Sequence, residues 1–238
     1  MSSLARRAPP DDMEALPAPV ARYLHAALPA QRPVATSVHV AQRGTFLLRP
    51  ARDGWFPFEA RQALGLNPPG FVWEARVRLA PGLRVHVVDS FRDGAGAMRA
   101  TLLGFRLSDV RGTPDIAQGA LLRYLAEAVL LPAALLPENG VVWRPIDDDR
   151  ARAGLTVGAT SVSLDFTFGE DGLVRSVFTP ARMRDVGGRG VPTAWQGRWW
   201  DYRPCEGTLV PHRGEVEWLL PEGRQVYWRG QVESVAFG

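Results

Sequence analysis

Residues 119–137, GALLRYLAEAVLLPAALLP, carry the strongest helical pattern in this chain. Apolar side chains recur there at helical spacing, at Leu121, Leu122, Leu125, Val129 and Leu130. Pro132 cannot continue the hydrogen-bond ladder, so we expect a kink or a restart there, and Pro137 ends the predicted helix. The pattern fits two interpretations, a buried helix packed on a sheet or a helix that lines a cavity.

Charged residues limit what this helix can be. Arg123 and Glu127 are four residues apart and can pair, which contributes ~0.3 kcal/mol on an exposed face. They also interrupt the apolar run, and a membrane span needs ~20 apolar residues, so we expect no span in this chain. Asp115 follows Pro114 and is predicted to accept hydrogen bonds at the start of the helix.

Strand-like segments lie on both sides of the helix. In residues 71–79, FVWEARVRL, apolar side chains alternate with mostly charged ones, which is typical of a half-buried strand. Short turns such as Pro81-Gly82 and Asp171-Gly172 predict hairpins, and therefore antiparallel pairing. Residues 34–40 and 44–48 are predicted as separate strands, and the glycine-rich residues 182–190 as a mobile loop.

These patterns predict an α+β fold. A large, curved, half-barrel-like antiparallel sheet is expected to pack against the kinked central helix and a short amphipathic helix within residues 16–29. Residues 1–10 are predicted to be disordered, and residues 11–238 to form a single α+β domain. The first residues lack the apolar region of a signal peptide, so the expected location is cytoplasmic.

Composition excludes several function classes. The net charge is +3, and the basic residues, all arginine, are scattered among acids, so we expect no nucleic-acid partner. The single cysteine, Cys205, excludes an intramolecular disulfide. No HExxH, P-loop or GxSxG motif is present, and the four histidines lack metal-ligand spacing. We therefore predict no catalytic residue, metal or cofactor, while the oligomeric state stays open.

Several motifs together resemble one bacterial family of unknown function. They are LPAPVARYL from Leu16, WFPFEARQ from Trp55, PPGFVWEARVR from Pro68, LLRYLAEAVLLPAALLP from Leu121, and WQGRWWDYR from Trp195. The resemblance covers nearly the whole chain and implies no established activity. The order of elements is also similar to that of the outer-membrane lipoprotein carriers. That similarity implies a curved antiparallel sheet that wraps around helices and holds acyl chains.

The eight tryptophans lie mostly within predicted strands. Each indole ring buries ~150–250 Å² and its N–H needs an acceptor. One interpretation is core packing. The other is an aromatic-lined pocket, in which Gly197 and Gly230 allow a ligand or another backbone to approach closely.

Two acidic residues are predicted to point in the same direction as apolar neighbours. Asp89 alternates with Val87 and Phe91, and Asp201 with Trp199. An inward carboxylate is costly unless it is paired, and the candidate partners are Arg123, Arg182 and Arg198. Such pairs either attach the sheet to the helix or form a polar patch that orients a ligand head group.

The leading functional hypothesis is non-catalytic binding of an apolar or amphiphilic small molecule between sheet and helix. The candidate ligand-binding residues are Trp73, Asp89, Arg123, Trp143, Arg182, Trp199, Asp201, Tyr202, Glu215 and Trp218. One alternative is an enzyme that uses Asp89 and Glu215 as acid and base. Another is a structural or interaction module without a pocket.

Overall fold

The computed structural model describes residues 15–29, 34–49 and 54–238, so the predicted disordered segment 1–10 lies outside the described residues. The described residues contain the helices α1 (Ala18–Ala27) and α2 (Pro114–Glu127). Their strands are β1 (Ser37–Arg49), β2 (Gly54–Leu66), β3 (Pro69–Ala80), β4 (Leu83–Arg92), β5 (Ala95–Leu102), β6 (Phe105–Arg111), β7 (Val142–Pro145), β8 (Arg150–Val157), β9 (Thr160–Phe168), β10 (Val174–Val186), β11 (Arg189–Cys205), β12 (Thr208–Leu220) and β13 (Gly223–Phe237).

The strands form one antiparallel sheet in the order β6-β5-β4-β3-β2-β1-β13-β12-β11-β10-β9-β8-β7. Helix α2 packs against β3, β4 and β5 and also against β9 and β10. In a flat sheet β5 and β9 would lie ~43 Å apart, at ~4.8 Å per step. The sheet therefore curls around the helix, which lies on its concave face. This arrangement confirms the predicted fold class.

The helices are held by buried apolar side chains. On α1 the predicted face, Val20, Tyr23, Leu24 and Ala27, is fully buried. Residues 128–136, which follow α2, are buried along their whole length. Within the described part of the chain, neither helix is long and apolar enough to cross a membrane. The single domain of residues 11–238 stays a prediction.

Helix α2 differs from its prediction at both ends. It begins at Pro114, where the Thr113 hydroxyl, rather than the predicted Asp115 carboxylate, accepts the Ile116 N–H at 3.3 Å. It ends at Glu127, so the predicted helix 119–137 is an α-helix followed by short 3₁₀ segments, one of which begins at Pro132, where a kink or a restart was expected. Pro132 has no N–H to donate to the Ala128 carbonyl, which accepts from Leu131 at 3.0 Å instead.

Two strand predictions were also wrong. The predicted strands 34–40 and 44–48 are joined in one strand, β1, which begins at Ser37 and whose pairing with β13 shifts by a bulge between Ala41 and Gln42. The predicted mobile loop 182–190 is the tip of the β10–β11 hairpin. Gly187 and Gly188 both have positive φ there, which lets two residues connect the paired strands.

Candidate functional site

A cavity of about 220 Å³ lies between the C-terminal half of α2 and the concave face of the sheet. Nine elements contribute to its wall, because the curled sheet brings β3, β4 and β5 opposite β10–β13. The wall is mostly aromatic and aliphatic, with charged groups beside the helix. Its residues are Phe46, Trp73, Val87, Asp89, Met98, Arg123, Ala126, Glu127, Arg182, Trp195, Trp199, Val216, Tyr227 and Trp228. Five of the ten predicted site residues are among them.

A row of glycines supports the aromatic wall. Gly44, Gly230 and Gly214 pair directly across β1, β13 and β12. A Cβ on Gly230 would lie 2.1 Å from the Trp228 ring, and one on Gly214 would lie 2.5 Å from the Trp199 ring. The rings therefore lie flat over glycine backbone, and only glycine leaves room for them.

The glycines predicted to admit a ligand have another role. At Gly230 the space is taken by the ring of Trp228, as above. At Gly197 a Cβ would lie 3.2 Å from Val177 and 3.4 Å from the Trp195 ring. Both positions accommodate side chains of the protein itself, so the prediction of ligand approach there was wrong.

Arg123 is the centre of the charged part of the wall. Its guanidinium binds Asp89 at 2.6 Å and Glu127 at 2.9 Å. Its Cζ also lies 4.9 Å from the centroid of Phe71 and 5.0 Å from that of Trp73. The predicted partnership of Arg123 with Asp89 therefore exists and attaches α2 to β4.

A chain of hydrogen bonds extends this cluster across the sheet. Gln62 donates to Glu127 at 2.5 Å and accepts from Gln42 at 3.2 Å. The Trp73 indole N–H donates to Gln42 at 3.1 Å. Every member of this chain has a partner, so the polar groups under α2 form a connected network rather than isolated buried charges.

The charges of this cluster do not balance locally. One guanidinium, Arg123, faces two carboxylates, and its side chain is only 15% exposed. Burial lowers the pKa of Arg123, but Glu127 and Asp89 outweigh burial, so this pKa lies above its ordinary value. Arg123 is therefore saturated with carboxylates and has little capacity left for an anionic ligand.

Two other side chains of the cavity wall have hydrogen-bond donors that are still available to a ligand. Arg182 lies over the Trp195 ring at 4.6 Å and donates to the Gly119 carbonyl at 3.2 Å. It forms no ion pair within the described residues. The indole N–H of Trp199 is buried and has no acceptor in the described structure. An unpartnered buried donor of this kind costs ~1–3 kcal/mol unless a ligand or water accepts from it.

The remaining predicted residues lie outside the cavity wall. Trp143 packs edge-on against Phe166 at 5.1 Å, and its N–H donates to the Leu135 carbonyl at 2.9 Å. Trp218 stacks on Tyr227 at 5.6 Å, behind the wall. Both tryptophans pack against other aromatic rings and neither lines this cavity, so their role in ligand binding stays a prediction.

The prediction that Asp201 points in the same direction as Trp199 was wrong, because the strand is irregular at Asp201. Asp201 has φ of 58°, and the β11–β12 pairing omits it, so the alternation of β11 shifts by one residue. Its carboxylate pairs with Arg203 and Arg213, and the Arg203 hydrogen bond holds the pKa of Asp201 below its ordinary value. The Tyr202 hydroxyl instead points inward and donates to the Val174 carbonyl at 2.9 Å.

Glu215 lies on the outer face of the sheet, opposite to the cavity. It is paired with Arg198 and Arg229 and lines an open outer groove of about 710 Å³. Asp89 lines the inner cavity, so the sheet separates the two carboxylates. The alternative in which Asp89 and Glu215 act together as acid and base is therefore wrong.

The cavity also contains residues that the sequence interpretation missed. Glu127 was assigned to an exposed pair, yet its side chain is 14% exposed. Gln42 and Gln62 were not considered, although both are buried. Their burial could have been predicted from strand alternation. Gln62, for example, alternates with Ala60 and Leu64 and therefore lies on the buried face.

Two solved structures are similar to this chain. A LolA superfamily protein from Nitrosomonas europaea is matched over 94% of both chains, with 13% identity and a TM-score of 0.46. A beta-barrel-like protein of the domain of unknown function DUF1849 from Brucella abortus is matched over 86% of this chain and 98% of its own, with 10% identity and a TM-score of 0.27. At these values neither likeness indicates a ligand or an activity for this chain.

Family membership is decided by the sequence. No curated protein matches the chain. The sequence model of one family of unknown function matches residues 14–237, which is nearly the whole chain, as the resemblance predicted. The chain belongs to this family of unknown function, DUF6920.

Proposed function

We propose that this protein binds an apolar or amphiphilic small molecule in the cavity between α2 and the sheet, without chemical conversion. The observation that supports this most directly is the composition of the wall. Aromatic and aliphatic side chains surround a space of about 220 Å³, and two donors, Arg182 and the Trp199 N–H, lack a counter-group in the described structure. Apolar walls with a few unsatisfied polar groups are typical of small-molecule sites.

The cavity volume limits how much of a ligand is enclosed. It lies below the ~300–1,000 Å³ of drug-sized sites, but above the ~150 Å³ of an apolar cavity that holds benzene. One short acyl segment or one ring therefore fits inside. Met98 stands at the rim with 38% of its surface exposed, so a longer chain would leave the cavity past this residue.

The head group is expected to be an anion. Arg123 already faces two carboxylates, whereas Arg182 forms no ion pair in the described structure. A carboxylate or phosphate next to Arg182 would balance the guanidinium and gain charge-assisted hydrogen bonds. Arg182 is thus the proposed anchor, and Asp89 and Glu127 hold Arg123 in place.

The test compares two probes with the same tail, dodecanoate and dodecanol, by isothermal titration calorimetry. The protein should bind both, and dodecanoate more tightly because only its head is charged. The change Val87→Phe fills part of the cavity and should weaken both affinities at least tenfold. Val88→Phe, one residue along β4 on the opposite face, is the matched control and should leave them unchanged.

Two outcomes would overturn the proposal. One is absence of binding of either probe to the unmodified protein, combined with a native mass that shows no co-purifying amphiphile. The other is binding that Val87→Phe and Val88→Phe weaken to the same extent, because the ligand would then lie outside the cavity.

A further inference from the structure

The tip of the β5–β6 hairpin exposes large apolar side chains. Leu103 and Phe105 are 72% and 77% exposed, and Leu107, the extra residue of a bulge in β6, is also exposed. Leu103 has φ of 49°, a conformation that turns normally assign to glycine, asparagine or aspartate. The tip therefore carries an exposed leucine in a backbone conformation that is unfavourable for it.

This tip is continuous with the rim of the cavity. Met98, Ala100 and Leu102 alternate along β5 and share the concave face, and Leu102 pairs with Phe105. The path from Met98 to Leu102 is four residues, or ~13 Å. An apolar track therefore leads from the cavity to the exposed hairpin tip.

Two arginines without carboxylate partners lie beside the tip. Val85 pairs with Leu102, so Arg84 is the residue next to Leu103 in the ladder. Arg78 lies directly opposite Arg84 on the outer face, and both are exposed. Like charges in directly opposed positions repel, and neither arginine forms an ion pair within the described residues. An anionic surface would relieve this repulsion.

A second hairpin at the same end of the sheet shares these features. Successive turns of the sheet alternate between its two ends, which places the β5–β6 and β10–β11 turns at the same end. Val186 and Val191 are exposed near the β10–β11 turn, on the face that carries Arg182 and Trp195. Apolar side chains thus extend from both sides of the cavity toward one end of the sheet.

We propose that this end of the sheet docks on an anionic lipid bilayer, with Leu103, Phe105 and Leu107 entering the interface and Arg78 and Arg84 contacting lipid phosphates. A protruding turn offers little of the ~1,200–2,000 Å² that a stable protein interface buries, whereas it suits insertion into a soft surface. This inference rests on the proposed function. The bilayer is then the source or the destination of the bound amphiphile, which passes along the apolar track from Met98 to Leu102.

The experiment is co-sedimentation of the full chain with vesicles of phosphatidylcholine alone or mixed with phosphatidylglycerol. Binding should require phosphatidylglycerol and weaken with added salt. The double change Leu103→Ser and Phe105→Ser should reduce vesicle affinity tenfold or more, because the apolar contribution is lost. Replacing Arg78 and Arg84 by Gln should reduce it roughly 25-fold, at about fivefold for each arginine near an anionic surface.

Matched controls come from other parts of the sheet. Val142→Ser changes an exposed valine on β7, at the far edge. Arg61→Gln with Arg92→Gln removes two exposed arginines near the opposite end of the strands. Both controls should bind vesicles like the unmodified protein. Failure of the unmodified protein to bind anionic vesicles, or equal losses in the controls, would overturn the docking proposal.

Ligand binding without vesicles separates the two proposals. The hairpin variants should bind dodecanoate normally, whereas Val87→Phe should lose dodecanoate and keep vesicle binding. Vesicle binding by the unmodified protein, combined with no binding of dodecanoate or dodecanol and no co-purifying amphiphile, would support docking and overturn the cavity function. Dodecanoate binding without vesicle binding would overturn docking alone.

Discussion

Each face of the sheet buries a charged side chain, but the two faces pair that charge in different ways. On the concave face Arg123 is shared by Asp89 and Glu127, and all three side chains are largely removed from water. On the outer face Glu217 has a side chain that is 1% exposed, but its partners Arg198 and Arg224 extend to the surface. The outer cluster is therefore a carboxylate covered by solvated arginines, while the inner cluster is an arginine enclosed by carboxylates.

This difference shows which cluster depends more on its central residue. Glu217 accepts from Arg224 at 2.7 Å, and both of its arginine partners can turn to water if the carboxylate is lost. Asp89 and Glu127 have no such freedom, because α2 and the sheet enclose them. Breaking a buried pair costs more than breaking a partly solvated one, since the remaining charge stays buried.

The largest expected effect is therefore at Arg123. The change Arg123→Met keeps apolar bulk but leaves the carboxylates of Asp89 and Glu127 without a cation. The free energy of unfolding, measured by urea denaturation at pH 7, should fall by about 3–5 kcal/mol. The control is Arg152→Met in the exposed pair with Asp165, where the loss should stay below ~1 kcal/mol. Equal losses would mean that the cavity hydrates the inner carboxylates.

A smaller effect is expected at Glu217. The change Glu217→Gln keeps the shape and removes the charge that Arg198 and Arg224 share. The loss should be about 1.5–3 kcal/mol, the range for hydrogen bonds to charged groups. The same denaturation experiment measures it. A loss larger than that of Arg123→Met would contradict the ranking of the two faces.

The smallest effect concerns a neutral group of the interior. The Tyr23 hydroxyl is buried without a partner in the described structure, and burial raises its pKa above the ordinary value. Tyr23→Phe should increase stability by about 1 kcal/mol, because the unsatisfied group disappears. Tyr124→Phe is the matched change and should decrease it by a similar amount, since the Tyr124 hydroxyl donates to the Gly65 carbonyl at 3.0 Å.

The pH dependence gives a second readout for Tyr23. Because its pKa is raised in the folded state, the hydroxyl keeps its proton there after the unfolded chain has begun to lose it near pH ~10. Stability is therefore full below pH ~10 and falls as the pH rises above it. Tyr23→Phe should make this alkaline loss less steep, and an unchanged slope would mean that Tyr23 does not contribute to it.

Most of the secondary structure could be predicted because its signals are local. The face of α1 that contains Val20 and Tyr23 followed from helical spacing, and hairpins followed from Gly-containing turns. The end of α2 was placed too late in the chain. Pro132 has no N–H to donate to the carbonyl of Ala128, so its effect on the helix begins four residues before Pro132 itself. The 182–190 segment was misjudged because two glycines, which suggest mobility, also suit a tight hairpin turn.

The candidate site was predictable only in part. Trp73, Asp89 and Arg123 follow regular alternation or helical spacing, and they do line the cavity. Asp201 was assigned to the wrong face because one residue with positive φ shifts the alternation of β11. This change of alternation cannot be read from the sequence, because the apolar residues on either side of Asp201 still recur at every second position.

The sequence by itself determined the central helix, the antiparallel strands and the family, because each depends on patterns within short segments. Only the tertiary structure decided that Asp89 and Glu215 lie on opposite faces, that Glu127 is buried, and that Arg182 approaches Trp195 beside a cavity. These facts depend on the register of distant strands and on the curl of the sheet around α2. Both arise from the packing of the whole chain, and no local pattern contains them.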